Sequence, residues 1–290
     1  MREPIRVRFW GTRGSIPSPG PRTQRFGGNT PCVEVRVGDA LLICDAGTGI
    51  RDLGTTLMKE SGGRPVNGDI FVTHTHWDHI QGFPFFMPAY QPGNRFRIHS
   101  AHGVARSFEK IFRGLMDPAY FPVALGDMAA KLDFIEVSGP LQYGGVKVES
   151  TFSNHPGVNL AYRFEAGGRS VVYLTDHETY QTMHQVTEFA QKQDRLIMDF
   201  CRGADLLICD AQYTDDDYRI KKGWGHSRYR DTVALGLAAE VRRLALFHHD
   251  PWHDDGVLDK IEGESQSLAS KDGAKMECFA AREGQTIEIS

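Results

Sequence analysis

Apolar and polar positions along this chain alternate in short runs rather than long periodic stretches. Eight runs are rich in β-branched and aliphatic side chains and are bounded by turn residues: Val33 to Val37, Ala40 to Cys44, Ile70 to Thr73, Val146 to Thr151, Leu160 to Phe164, Ser170 to Leu174, Leu206 to Cys209 and Leu244 to Phe247. Runs of this length and composition predict strands. Two stretches carry the helical period instead. From Arg228 to about Arg243, Val233, Leu237, Ala238 and Val241 form an apolar stripe, and Ser227 is placed to cap the N-terminus. From about Val104 to Met116, Val104, Phe108, Ile111, Phe112 and Leu115 recur at helical spacing and read as ordinary core packing. The segment Asp117 to Val137, with Pro118, Tyr120, Phe121, Pro122 and Met128, follows neither period. It is expected either as a lid or substrate wall, or as a surface connection against the core or a dimer contact.

The run Leu41-Leu42-Ile43-Cys44-Asp45-Ala46-Gly47 returns as Leu206-Leu207-Ile208-Cys209-Asp210-Ala211-Gln212, which suggests two related halves. Two strand-rich halves with helices to cover their outer faces predict an α/β protein of two stacked sheets, a four-layer α/β/β/α sandwich. No linker or low-complexity stretch divides the chain, so residues 1–290 are expected to form a single domain.

Composition narrows the partners. The 290 residues, 40% hydrophobic, can bury the core of one large domain. With 33 Lys plus Arg against 37 Asp plus Glu, the chain lacks the broad cationic field that long nucleic acids require, although a few local cations would suffice for a small anion. Cys32, Cys44, Cys201, Cys209 and Cys278 are an odd number set mostly in apolar runs, as expected of buried thiols in a reducing compartment. The opening residues Met1 to Arg8 carry no apolar signal core, and nowhere do eighteen apolar residues run together. A cytoplasmic protein without a membrane span is expected.

The chemistry concentrates in His74-Thr75-His76-Trp77-Asp78-His79, directly after the apolar run Ile70 to Thr73. Three imidazoles and a carboxylate within six residues suit zinc, manganese or iron, and a loop can turn such neighbours toward two ions. Four ligands are too few for two metals. His155, Asp176 and His248, each just after another predicted strand, can supply the remainder if those strand ends converge. The last position is open among His248, His249 and His253.

These residues together resemble the metallo-β-lactamase superfamily. The resemblance covers almost the whole chain and implies that His74, His76 and His155 hold one divalent metal, that Asp78, His79 and His248 hold the other, and that Asp176 bridges them with a water or hydroxide between the ions. Zinc is the first choice, manganese or iron the alternatives. Two cations lower the pKa of such a water and stabilise negative charge on the attacked centre, which implies a hydrolase. Asp45 is similar to a residue that supports the metal loops. Arg13, in Gly11-Thr12-Arg13-Gly14-Ser15, is similar to a loop near the substrate and could balance a phosphate, against the default of a solvated arginine in a glycine-rich turn.

Asp210 at the end of its apolar run, followed by Gly225-His226-Ser227, resembles the tRNase Z-like and cyclic phosphate phosphodiesterase branch. There an acidic residue pairs with the histidine of a Gly-His-Ser motif and the pair protonates the departing oxygen. Asp78, Asp210 and His226 are therefore the expected catalytic residues. The alternative for His226 is simply to help start the following helix. Two departures qualify the resemblance: Cys209-Asp210 stands where the branch usually has His-Glu, and only twenty residues separate His155 from Asp176, too few for the long tRNA-gripping arm that many bacterial tRNase Z enzymes insert there. The expected substrate is thus a small or cyclic phosphodiester, such as a cyclic nucleotide or cyclic sugar phosphate, rather than long nucleic acid, and a homodimer is expected by resemblance. The competing readings are a tRNA 3′-end endoribonuclease, a lactone, thioester or β-lactam hydrolase, and a non-catalytic metal-binding member.

Overall fold

The computed structural model describes residues 3–102, 107–184, 186–273 and 275–290. Among the described residues there are fourteen strands: β1 Ile5–Gly11, β2 Cys32–Val37, β3 Ala40–Cys44, β4 Asn67–Phe71, β5 Arg95–Ser100, β6 Lys131–Glu136, β7 Leu141–Tyr143, β8 Val146–Phe152, β9 Leu160–Ala166, β10 Arg169–Leu174, β11 Leu206–Asp210, β12 Arg243–Phe247, β13 Glu277–Ala280 and β14 Thr286–Ile289. They form two seven-stranded sheets, ordered β14-β1-β2-β3-β4-β5-β6 and β13-β12-β11-β10-β9-β8-β7. The helices are α1 Ile50–Ser61, α2 Trp77–Ile80, α3 Phe108–Leu115, α4 Tyr180–His184, α5 Glu188–Cys201, α6 Asp215–Lys221, α7 Tyr229–Ala238 and α8 Asp255–Ala269. None of the described helices is long and apolar enough to cross a membrane.

The interior strands β3 and β11 are apolar on both faces, and that is why four layers form. Along β3, Leu42 and Cys44 enter the core between the sheets, while Leu41 and Ile43 face α1 and α3. Along β11, Leu206 and Ile208 enter the same inner core and Leu207 and Cys209 face α5, α7 and α8. A strand with apolar residues at every position has no solvent face and must be covered twice. Each buried leucine or isoleucine contributes roughly 1.5–3 kcal/mol relative to exposure.

The two sheets repeat one topology. Read from β14 and from β7, each begins with three antiparallel pairings and ends with three parallel ones. In this correspondence β3 matches β10, not β11. The Leu-Leu-Ile-Cys-Asp-Ala echo therefore joins strands one place apart in the repeat.

Several expectations are corrected. Helix α7 ends at Ala238 instead of near Arg243, because Glu240 turns left-handed at φ 55° and the N–H groups of Glu240 and Val241 bond back to Leu237 and Gly236, a Schellman ending. Its buried face is Tyr229, Thr232, Val233 and Gly236, with Leu237 half-buried and Ala238 exposed. Ser227 does not cap it: its hydroxyl donates to the carbonyl of His177 at 2.5 Å. The helix expected from Val104 is described from Phe108 to Leu115, and Val104 lies outside the described residues. In the segment Asp117 to Val137, Leu125 and Met128 are buried against the outer face of the first sheet and Lys131–Glu136 forms its edge strand, while Asp117 to Tyr120 are exposed.

Candidate metal centre

The parallel strands end on one rim of the sandwich, where open α/β sheets place their ligands. Asp45 follows β3, the loop His74 to His79 follows β4, Asp176 follows β10, Asp210 ends β11 and His248 follows β12. His155 arrives from the end of β8. Five described residues other than glycine have positive φ between 52° and 65°, and four of them, Ser15, Asp45, Asp176 and His248, lie at this rim. Left-handed backbone is costly for such residues, and its concentration here marks a site that the surrounding structure holds in place.

The structure brings all seven expected metal residues together in two groups, His74, His76, His155 and Asp176, and Asp78, His79, Asp176 and His248. In the first, His76 Nδ1 lies 2.9 Å from His74 Nε2 and 3.0 Å from His155 Nε2, and Asp176 Oδ2 lies 3.6 and 3.7 Å from those two Nε2 atoms. In the second, His79 Nε2 and His248 Nε2 are 3.3 Å apart, each 3.2 Å from Asp176 Oδ1 and 3.2 and 3.1 Å from Asp78 Oδ2. Asp176 thus turns one oxygen to each group. Ligands at zinc–nitrogen distances of roughly 2.0–2.1 Å in a tetrahedron stand about 3.3 Å apart. The convergent nitrogens and carboxylate oxygens match that spacing, and the His/Asp cluster suits divalent metal ions.

The far sides of the His79, His248 and His155 rings are anchored. His79 Nδ1 faces Asp45 Oδ2 at 2.8 Å, and Asp45 also accepts from the Thr73 backbone N–H and the Tyr173 hydroxyl, each at 2.8 Å. His248 Nδ1 donates to Gln212 Oε1 at 2.8 Å, and His155 Nδ1 to the Gly225 carbonyl at 2.9 Å. The Ser15 N–H donates to Asp78 Oδ2 at 2.8 Å. Two glycines are obligatory for this closeness: a Cβ on Gly14 would stand 2.5 Å from His248 Nδ1, and one on Gly225, at φ 91°, 2.2 Å from His155 Nδ1. Buried Glu178 accepts from the N–H groups of Gly223 and Gly225 at 2.9 Å and from the Tyr218 hydroxyl at 2.6 Å, fixing the loop that leads to His226.

Burial sets the protonation of the first group. It lowers His155 to about 4, holds His74 well below the usual imidazole range and lowers His76. In the second group burial also favours the neutral ring, but Asp176, Asp78 and Asp45 outweigh it and hold His79 well above its ordinary value. His226 Nδ1 lies 2.6 Å from Asp210 Oδ2, and its ring stacks on His248 with centroids 4.9 Å apart. Against desolvation, Asp210 pushes His226 up to about 9. Asp210, although shorter than the glutamate usual in the branch, reaches the imidazole.

His249 points away, its Nε2 2.9 Å from the Ala281 carbonyl, and His253 Nε2 lies 3.0 Å from Asp217 Oδ2. Arg13 neither reaches the rim nor is solvated. It is fully buried and donates to the carbonyls of Gly27, Asp250 and His253. Gln212, Glu178, Thr73, Tyr173 and the Ser15 N–H were not anticipated. The Asp176-His177-Glu178 run was the available signal for Glu178, while nothing local distinguishes Gln212.

A four-layer sandwich with this cluster at its strand ends is the framework of a metal-dependent hydrolase. The chain belongs to the metallo-β-lactamase superfamily: the family described as Beta-lactamase superfamily domain matches residues 41–249. It is 25% identical to Ribonuclease Z of Thermoplasma acidophilum over 87% of this chain and 88% of that protein. Its fold is similar to that of the metallo-beta-lactamase fold protein YhfI from Bacillus subtilis, with a TM-score of 0.70 and 21% identity over 99% of this chain and 100% of that one. It is also similar to a diphosphatase from the PhnP family, with a TM-score of 0.65 and 18% identity over 99% and 98% of the two chains. These likenesses fit the tRNase Z-like branch.

Proposed function

We propose that the chain is a phosphodiesterase acting on small or cyclic phosphodiesters, with cyclic nucleotides and cyclic sugar phosphates as the first candidates. In this reading His74, His76 and His155 hold one divalent cation, Asp78, His79 and His248 hold the other, and Asp176 serves both. Zinc is the first choice because five of the seven ligands are imidazoles, with manganese or iron as alternatives. Bound cations would supply a water of lowered pKa and offset the charge of the phosphate.

The observation that carries the reading is the Asp210–His226 contact of 2.6 Å beside the cluster. A phosphodiester departs as an alkoxide, which needs a proton. With Nδ1 turned to Asp210, His226 presents Nε2–H as the donor, and the buried carboxylate both orients the ring and favours its charged form. A thiolate leaving group needs no such proton, which disfavours a thioester. The pocket over the cluster, about 410 Å³, is lined by Ser15, Thr75, His76, Trp77, Asp78, Asp176 and His226, without a lysine or arginine. That lining suits a single phosphate better than a polyanion. Between His155 and Asp176 the chain forms only a short loop and the β9–β10 hairpin.

An RNA 3′-end phosphodiester is the second reading, favoured by the Ribonuclease Z relative. The same proposal takes residues 1–290 as one domain, since the site draws on both sheets. It places the enzyme in the cytoplasm, in keeping with its five buried free cysteines, and as a homodimer by resemblance. The deciding experiment compares bis(p-nitrophenyl) phosphate with the monoester on zinc- or manganese-loaded protein, with Asp176→Ala as control. Preferential diester turnover, lost in the control, is expected. No turnover despite two bound ions would overturn the reading in favour of a lactone hydrolase, and cleavage of precursor tRNA without turnover of cyclic nucleotides would establish the RNA reading instead.

A further inference from the structure

A second cavity, about 460 Å³, lies between the α4–α5 pair and α7 and shares no lining residue with the pocket over the metal centre. Ile197, Met198 and Leu235 contribute apolar lining, and His177, Gln181, Gln191, Asp194, Arg195 and Asp231 contribute polar groups. His177 is only 2% exposed. Its Nδ1 accepts the Asn154 backbone N–H at 3.2 Å, which requires the bare nitrogen there and puts the ring proton on Nε2. That Nε2–H has no partner among the described residues. The ring lines the open cavity, so this donor is presented to whatever occupies it. Asp194 accepts from the Tyr180 and Gln181 N–H groups at 2.8 and 3.0 Å and from the Gln181 side-chain amide at 2.9 Å, which leaves one acceptor site on Oδ1.

The other polar atoms of His177 are tied to the metal centre. Its N–H donates to Asp210 Oδ2 at 3.3 Å, its carbonyl accepts from Ser227 beside His226, and the residue itself directly follows Asp176. Asn154, which holds the ring, directly precedes His155. We propose that this cavity is a second ligand site for a small neutral molecule bearing a carboxamide-like acceptor and donor on a flat apolar body, and that His177 transmits its occupancy to the Asp210–His226 pair. The acceptor takes the His177 Nε2–H, the donor meets Asp194, and the apolar body lies against Met198 and Leu235. Because the inference concerns a hydrogen bond and not turnover, it stands apart from the phosphodiesterase reading.

The test uses benzamide as probe on the metal-loaded 290-residue chain labelled at the methionine methyl groups. Two resonances are followed by NMR: the Met198 methyl, and the downfield His226 Nδ1 proton, assigned by its loss in Asp210→Asn. A saturable shift of both is expected, lost in Ala234→Phe and in Ala238→Phe, which fill the cavity from exposed positions of α7. Either variant suffices should the other fail to fold. The absence of a saturable Met198 shift up to the solubility limit, or a shift that persists in the filled variants, overturns the site. A Met198 shift that leaves the His226 proton unmoved overturns the coupling.

Discussion

The two tetrads that share Asp176 differ in chemistry. His74, His76 and His155 face it with three imidazoles, of which burial keeps His74 and His155 neutral, and their supports are light: a backbone carbonyl on His155 and the Thr73 hydroxyl 3.1 Å from His74 Nδ1. Asp78, His79 and His248 bring a second carboxylate, all three are buried, and their supports are Asp45, Gln212 and the Ser15 N–H. The first tetrad can receive a cation without giving up a proton. The second has more negative charge to offer but holds a proton on His79 that a metal must displace. One shared carboxylate therefore joins a position that is ready at neutral pH to one whose occupancy depends on pH.

The strongest way to break the comparison is to remove what the tetrads share. Asp176→Ala should empty both positions and lower diester turnover at least about ten-thousandfold, roughly 5 kcal/mol of transition-state stabilisation. Metal content and turnover measured on the same sample check it. Retention of two ions with a small loss of rate would show that the tetrads stand independently. His226→Asn comes next, with metal content unchanged. Loss of a proton donor should cost roughly a hundred- to thousandfold on a diester with an alkyl leaving group. Bis(p-nitrophenyl) phosphate, whose leaving group departs without a proton, should be much less affected. Equal losses on both substrates would argue that His226 positions rather than protonates.

Half of each tetrad was legible in the sequence because one loop of six residues carries His74 and His76 of the first and Asp78 and His79 of the second. The distant partners His155, Asp176 and His248 could be read only as polar residues following predicted strands, a signal that is strongest for Asp176 and His248 because β10 and β12 are dense in apolar side chains. Gln212 carried no local signal, and Glu178 only that of an acidic residue two positions after Asp176. They act on residues 36 and 45–47 positions away, through contacts that only the folded chain creates. The same contrast holds for the fold. Strands buried on both faces announced themselves, whereas edge strands such as Lys131–Glu136, Leu141–Tyr143 and Thr286–Ile289, paired on one side only, lack the apolar density that marks a central strand. The Leu-Leu-Ile-Cys-Asp-Ala echo shows the limit of pattern. Two interior strands under the same demand for double-sided burial came to look alike, although the repeat pairs β3 with β10.

Acidification should separate the tetrads without a mutation. His79 holds its proton above the ordinary histidine value of about 6.5, so protons compete at the second position from near-neutral pH downward. His155, lowered to about 4, leaves the first position free of competition over the same range. Apparent affinity at the second position should fall about tenfold per pH unit while one proton is displaced. Dialysis at stepped pH should pass from two ions per chain to a plateau at one, then to none. His155→Ala should remove the plateau, and simultaneous loss in the unmutated protein would erase the distinction between the tetrads.

The smallest effect tests the supports. Gln212→Ala deletes the acceptor that orients His248 while leaving every ring in place, so about a tenfold loss of affinity is expected at the second position alone. Glu178→Ala acts on the other side: without its carboxylate the Gly223–Gly225 loop loses two N–H bonds, and the Gly225 carbonyl that holds His155 is no longer fixed. Its loss should appear at the first position, and also in turnover, because the same loop carries His226. Calorimetric titration of each variant resolves the two binding steps. The paired outcome matters more than either magnitude, since a Gln212 substitution that weakened both steps equally would mean that Asp176 transmits strain between the positions and that the two tetrads act as one site.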